Sequence, residues 1–280
     1  MRCRKMHLCS DKYKLCSCKK AKFVYNRTVI YRFGKDIFQT MLLELQNVSY
    51  RAESDTGVKE IISHVDLKID ERFVAFTGPN GGGKSTLAKL IAGIYTPSEG
   101  RILMDGEDIT GLSITERAKR GISYAFQQPV RFKGLTVQDL ISLASGKKLS
   151  APEVCAYLSE VGLCARDYVN RELNESLSGG ELKRIEIAMI MARGTKLSLF
   201  DEPEAGIDLW SFGNLITVFE KMHEKLGGSI LIISHQERIL NIADRIIVIA
   251  DGKITKDGTS KEVLPALLTA RTCAALTKNA

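Results

Sequence analysis

The sequence predicts an α/β protein: a mostly parallel sheet wrapped by helices, with an antiparallel β layer beside it and an all-helical insert. Three observations predict it. Strand-like and helix-like apolar patterns alternate over most of the chain. A glycine loop, Gly78-Pro79-Asn80-Gly81-Gly82-Gly83-Lys84-Ser85-Thr86, joins a short apolar run to an amphipathic one. From Leu135 to about Gly194 the pattern is helical.

At 280 residues and 44% hydrophobic content the chain can bury a full core, which excludes disorder throughout. No uncharged apolar run approaches the ~18 residues needed to span a bilayer, so direct membrane insertion is not expected. The net charge of +7 is unevenly placed. Residues 1–40 hold 11 Lys/Arg against 2 Asp/Glu, and the other residues hold 29 against 31. The body is therefore nearly neutral and gives no electrostatic reason to expect a nucleic-acid partner.

Residues 1–40 read as a basic, cysteine-containing extension with no clear period, either disordered or upstream of a translation start at Met41. A metal site competes with that reading, because Cys3, His7, Cys9, Cys16 and Cys18 lie here. Their spacing matches no common zinc pattern. A transit peptide competes too, since such segments are basic and poor in acids. The remaining cysteines are Cys155, Cys164 and Cys273, and a reduced, cytoplasmic compartment suits this usage better than a disulfide framework.

Met41 to Tyr50 reads as a strand, followed by a polar break from Arg51 to Gly57. Ile61, Val65, Leu67 and Ile69 then include an alternating, half-exposed strand. Arg72 to Thr77 is a buried strand leading into the glycine loop. Leu87, Leu90, Ile91 and Ile94 have the spacing of the helix behind it. Strand, Gly-x-x-x-x-Gly-Lys-Ser and helix together form a phosphate-binding loop. Its glycines allow left-handed backbone and close approach of N–H groups to an anion, and the helix N-terminus adds partial positive charge. Lys84 can reach β- and γ-phosphates, and Ser85 can ligate Mg²⁺.

Beyond the loop, Arg101 to Met104 and Ile122 to Phe126 read as strands, with a polar helix near Thr115 to Arg120 between them. Ser150-Ala151-Pro152-Glu153 resembles a capping box. Leu182, Ile185, Ala188, Met189 and Ala192 mark the inner face of a helix opened by Leu177-Ser178-Gly179-Gly180-Glu181. Leu197 to Glu202, Ser229 to Ser234 and Ile246 to Ala250 read as strands. Between the first two lies a helix with Phe212, Leu215, Ile216, Phe219 and Leu226 as core. Asp251-Gly252 is a hairpin turn, and Ser260 opens a last helix. The organisation expected is therefore the extension 1–40, a domain 41–265 with its helical insert at about 128–193, and a tail 266–280.

Five features stand in fixed order: the loop at 78–86, Gln127, Leu177-Ser178-Gly179-Gly180-Glu181, Asp201-Glu202, and His235. Together they resemble an ATP-binding-cassette (ABC) ATPase over about Leu42 to Gly258, which implies the P-loop NTPase fold, ATP and Mg²⁺ as cofactors, and ATP hydrolysis. The resemblance assigns Asp201, Ser85 and Gln127 to the metal, with Gln128 the off-by-one alternative. Glu202 becomes the carboxylate that polarises the attacking water, and His235 the residue on the γ-phosphate. Tyr50 becomes the ring that stacks on adenine. It also implies an ATP-dependent homodimer, because Ser178, Gly179 and Gly180 would bind the γ-phosphate held by the twin.

Within the family, four segments resemble SufC, the ATPase of iron–sulfur cluster assembly: Ala125 to Val130, Ser178 to Arg184, Glu204 to Asp208, and His235 to Leu240. That resemblance implies SufB/SufD-like scaffold partners. The competing expectation is the ATPase subunit of a transporter, with membrane permease partners docked near the Gln127 loop. Ala205 lacks the serine hydroxyl found there in relatives. Gly82 replaces a frequent serine, a change expected to matter little because backbone groups bind the phosphate.

Overall fold

The computed structural model describes residues 22–25, 28–33, 36–39, 42–54, 57–173, 177–207, 209–225 and 228–276. The chain divides into two compact units, residues 1–41 and 42–280. In the first, β1 (Lys22–Tyr25), β2 (Thr28–Phe33) and β3 (Asp36–Gln39) form an antiparallel sheet in that order. Their runs are rich in aromatic and β-branched residues, which favour strands even where the segment shows no clear period. The cysteines and histidine of the extension, and Met41, lie outside the described residues.

The second unit is built on two sheets. The larger contains β6 (Phe73–Thr77), β9 (Ile122–Ala125), β10 (Leu197–Asp201), β11 (Ser229–Ile233), β12 (Arg245–Ala250) and β13 (Lys253–Thr259). Their order is β13-β12-β6-β11-β10-β9, with only β13 antiparallel to its neighbour. Every residue of β6, β10 and β11 is buried, which is why these strands read as short apolar runs without alternation. Asp251 and Gly252 both adopt left-handed backbone, at φ 50° and 73°, and close the β12–β13 hairpin as expected.

The smaller sheet is antiparallel, in the order β5 (Gly57–Ile69), β4 (Leu43–Ser54), β7 (Glu99–Met104), β8 (Glu107–Asp108). Here the structure corrects the expected break after Tyr50. The ladder continues past Arg51, which pairs with Glu60, as far as Ser54 opposite Gly57. This end of the hairpin is exposed, so it lacks the apolar alternation that marks a strand in sequence. Backbone pairing carries it, with Arg51 bridged to Glu60 at 3.5 Å and to Glu99 at 2.9 Å.

Successive strand residues point to opposite faces of the larger sheet, which produces two cores. Val74, Phe76, Leu199, Leu231 and Ile233 pack with Leu87, Leu90 and Ile91 of α1 (Lys84–Ala92). Phe73, Ala75, Phe200, Ile230 and Ile232 pack with Leu215, Phe219 and Met222 of α7 (Leu209–Lys225). The expected core residue Leu226 lies outside the described residues.

The helical insert comprises α3 (Val137–Ser145), α4 (Ala151–Glu160), α5 (Ala165–Tyr168) and α6 (Gly179–Arg193), with α3 and α4 packed on α6. Glu153 accepts hydrogen bonds from the Ser150 N–H and hydroxyl at 2.8 and 2.6 Å, the carboxylate half of the capping box expected from the sequence. Three shorter or terminal helices complete the unit: α2 (Ile114–Lys119), α8 (Glu237–Ile242) and α9 (Ser260–Leu276). The last runs past the expected domain end at 265. Among the described residues no helix is long and apolar enough to cross a membrane.

Candidate active site

The glycine loop lies between the end of β6 and the start of α1. Gly78 and Gly83 require glycine on two counts. Both have left-handed φ, 130° and 103°. A Cβ on Gly78 would lie 2.1 Å from the Ile249 carbonyl oxygen, and one on Gly83 would lie 2.7 Å from Ile62 Cδ1. Gly82 is less neutral than expected, because a Cβ there would meet the Ile249 and Pro79 carbonyl oxygens at 2.8 and 3.0 Å. The loop packs against the backbone at the end of β12, so a serine would need one of the two to shift. Pro79, Asn80 and Gly81 form the outer, exposed part of the loop.

The start of α1 has neither a capping side chain nor an acidic residue in its first turn. Its orphan N–H groups and the positive end of the helix dipole suit an outside anion. Lys84 is folded back over the loop, donating to the carbonyls of Gly78 and Pro79 at 2.9 and 2.8 Å. Burial holds its pKa below the usual lysine value, opposed by the Glu202 and Asp201 carboxylates. Thr86 is the third residue of α1 and half-buried.

Asp201 ends β10 at 5% exposure. It accepts from the Ser85 hydroxyl at 2.8 Å and the Tyr124 hydroxyl at 2.7 Å. Glu202 follows in left-handed backbone, φ 46°. For a non-glycine residue that conformation costs on the order of 1–3 kcal/mol. It is held by a bond from the Glu202 N–H to the Ile233 carbonyl, 3.0 Å, and by the Lys183 ammonium on the Glu202 carbonyl, 3.1 Å. The Glu202 carboxylate accepts from Gln127 Nε2 at 2.7 Å and stands 3.8 Å from His235 Nε2. The structure therefore brings together Lys84, Ser85, Gln127, Asp201, Glu202 and His235. A carboxylate so held beside an anion-binding loop can accept a proton from water.

Ser178, Gly179 and Gly180 stand elsewhere. Ser178 caps α6 and, with Glu181, forms a reciprocal capping box. Glu181 also accepts from the Tyr168 hydroxyl. Among the described residues no hydrogen bond joins this helix start to residues 78–86, and Ser178 and Gly179 are exposed. Tyr50, on β4, stacks on Tyr95 with ring centroids 5.2 Å apart. Its neighbour across the ladder, Ile62, touches Gly83, which places Tyr50 on a strand beside the loop.

Four residues of this neighbourhood escaped the sequence reading as individuals. Tyr124 was one residue of a buried strand. Lys183, at 4% exposure, also donates to the Ala205 carbonyl at 2.7 Å. Glu204 accepts from the Ser234 hydroxyl at 2.6 Å, and burial raises its pKa. Glu186 accepts from the Phe126 N–H at 3.3 Å, and burial pushes its pKa up to about 7. Charged residues on a helix read as solvated in sequence, and only their burial marks them.

The Glu186 shift has a measurable consequence. The native carboxyl holds its proton more tightly than the unfolded one, so native stability falls as pH rises from about 4.5 through about 7. Glu186→Gln removes that dependence. Its melting temperature relative to the unmodified chain is expected to be roughly 2–6 °C better at pH 8 than at pH 5. Equal differences at the two pH values in thermal scans would remove burial as the cause.

The donor set fits Mg²⁺. The Ser85 hydroxyl and Asp201 carboxylate are hard oxygen ligands side by side. Among the described residues no cluster of three or more His, Cys, Asp or Glu could hold a metal ion. That suits a cation bound mainly through phosphates and water with one or two protein oxygens.

Known proteins resemble this chain in sequence and in fold. A family model described as ABC transporter matches residues 62–205. The chain is 40% identical over 233 residues to an uncharacterized ABC transporter ATP-binding protein of Methanocaldococcus jannaschii, covering 80% of this chain and 91% of that protein. It is 31% identical over 229 residues to the spermidine/putrescine import ATP-binding protein PotA of Mesoplasma florum, covering 79% of this chain but spanning 63% of the relative. Among solved structures, it resembles a dimeric ATP-binding cassette in a post-hydrolysis state bound to ADP and Pi. The TM-score is 0.70 at 26% identity, covering 78% of this chain and 99% of that one.

Proposed function

This chain belongs to the ABC transporter family as an ATP-binding, ATP-hydrolysing member, and on that premise we propose that two copies close head to tail around ATP and that hydrolysis reopens them to drive a docked partner. The observation that carries this reading is the split between two half-sites. The loop, Asp201, Glu202, Gln127 and His235 gather at one place, while the exposed helix start at Ser178 is not joined to them. A second copy would supply that missing half, its Ser178 hydroxyl and its Gly179 and Gly180 N–H groups meeting the γ-phosphate.

In this reading Lys84 leaves its own loop carbonyls for the β- and γ-phosphates, and the N–H groups of residues 78–86 cradle them. Glu202 takes a proton from the attacking water, Gln127 orients that water, and His235 donates to the γ-phosphate. Tyr50 stacks on adenine through the face opposite Tyr95. Ser85, Asp201 and Gln127 would hold Mg²⁺, which supplies positive charge to the phosphates.

The partner would dock on the apolar groove of about 210 Å³ lined by Phe126, Val130, Phe132 and Leu182. Phe126, Val130 and Phe132 are exposed large hydrophobics immediately around Gln127. The relatives' names support a membrane permease, with this chain on the cytoplasmic side. SufB/SufD-like scaffolds are the second reading, supported by the resemblance of Glu204 to Asp208, Gly206 included, to the SufC type. Purification of the chain from its native source in detergent, followed by mass spectrometry, separates the two. A co-purifying polytopic permease is expected for transport, soluble scaffold subunits for assembly, and recovery as an ATP-insensitive monomer would refute both.

A further inference from the structure

We propose that Tyr124 is a positioning residue that orients the Asp201 carboxylate toward the metal that accompanies the nucleotide, a role that rests on the reading of this site given above. Asp201 is nearly sealed from solvent and has two side-chain donors, Ser85 and Tyr124. They are not equivalent. The Ser85 hydroxyl is itself a metal ligand in the reading above, so its oxygen would serve the cation while its proton stays available to Asp201 Oδ1, and its position would follow the metal. The Tyr124 hydroxyl comes from β9, beside β10, and is not a candidate ligand. It would hold Oδ2 independently of the metal and leave Oδ1, the oxygen facing Ser85, on the metal side.

The packing keeps Tyr124 in that role: its ring makes an edge-on contact with Phe126, centroids 4.9 Å apart. A hydrogen bond to a charged acceptor is stronger than one between neutral groups, enough to hold one carboxylate rotamer over others. Tyr124 also lines the groove beside Gln127, so the residue that orients Asp201 is the one a docked partner would press on.

The test is Tyr124→Phe, which keeps the ring and its packing and deletes one oxygen. ADP affinity is measured calorimetrically for the full chain, once with excess Mg²⁺ and once with EDTA, so the readout does not depend on turnover. The variant is expected to bind ADP in EDTA as the unmodified chain does, and to lose about tenfold of the tightening that Mg²⁺ brings, about 1.4 kcal/mol. Full Mg²⁺ tightening in Tyr124→Phe would overturn the proposal. So would an equal loss with and without Mg²⁺, which is what a merely structural role in loop packing would produce. An unmodified chain whose ADP binding ignores Mg²⁺ would instead overturn the reading of the metal-side residues.

Discussion

Glu202→Gln is expected to bind ATP with near-normal affinity and to lose turnover by about 10³-fold, the usual contribution of a positioned proton acceptor. The substitution is close to isosteric. The amide oxygen of glutamine can still accept from Gln127 Nε2, the backbone N–H still reaches Ile233, and Lys183 still holds the carbonyl. What disappears is the negative charge and the basic oxygen. ATP would then be trapped uncleaved between two copies, so a dimer that is transient in the unmodified chain should persist. Single-turnover phosphate release and size-exclusion chromatography with ATP check both halves of this expectation. Undiminished hydrolysis would take Glu202 out of the mechanism. Lost hydrolysis without a longer-lived dimer would place the twin's contribution elsewhere.

Arg117→Ala is expected to destabilise the chain by about 3 kcal/mol and to lower its melting temperature by roughly 10 °C, through unsatisfied carbonyls and a cavity. Arg117 is 1% exposed. Its guanidinium donates to the carbonyls of Leu90 and Ile91 at 2.6 and 3.0 Å, of Thr110 at 2.8 Å and of Leu112 at 3.2 Å. Leu90 and Ile91 lie in the last turn of α1, whose C-terminal carbonyls carry the negative end of the helix dipole. One cation therefore caps the far end of the helix that begins at the phosphate loop and ties it to the chain entering α2. Burial pushes its pKa down to about 10, with Asp108 opposing, so it remains charged at neutral pH. Removing it leaves four carbonyls without this donor and a cavity against Gly93, whose Cβ position lies 2.9 Å from the Arg117 side chain. Chemical denaturation measures the loss. A change below about 1 kcal/mol would show that water replaces the guanidinium at little cost.

These two residues mark the limits of what the sequence reveals. Glu202 was legible because it follows Asp201 at the end of an apolar run and stands in order with a glycine loop, a signature helix start and a histidine. Its left-handed backbone was not, since nothing in Asp201-Glu202-Pro203 announces a positive φ. Arg117 was read as one charge on a polar helix, and it is among the most deeply buried side chains in the molecule. Lys183 repeats the lesson, on a helix where Leu182, Ile185 and Ala188 are buried as expected, Met189 and Ala192 are half-buried, and Ile187 and Ile190 are buried without having been expected. The hairpin of β4 and β5 failed in the opposite direction, because its exposed end has no apolar rhythm to read.

Order along the chain and residue type were enough to identify the α/β core, the helical insert, the phosphate loop and the family, because hydrophobic period, glycine placement and motif spacing are local properties. Which side chains meet was set only by folding. Tyr124 and Ser85 reach Asp201 from positions 77 and 116 residues away, and Gln127 reaches Glu202 across 75. Such contacts depend on the order β6-β11-β10-β9 in the parallel sheet, which places strands distant in sequence side by side. A local pattern carries no record of that order, and the burial that follows from it is what turns an ordinary tyrosine, lysine or arginine into part of the site or its support.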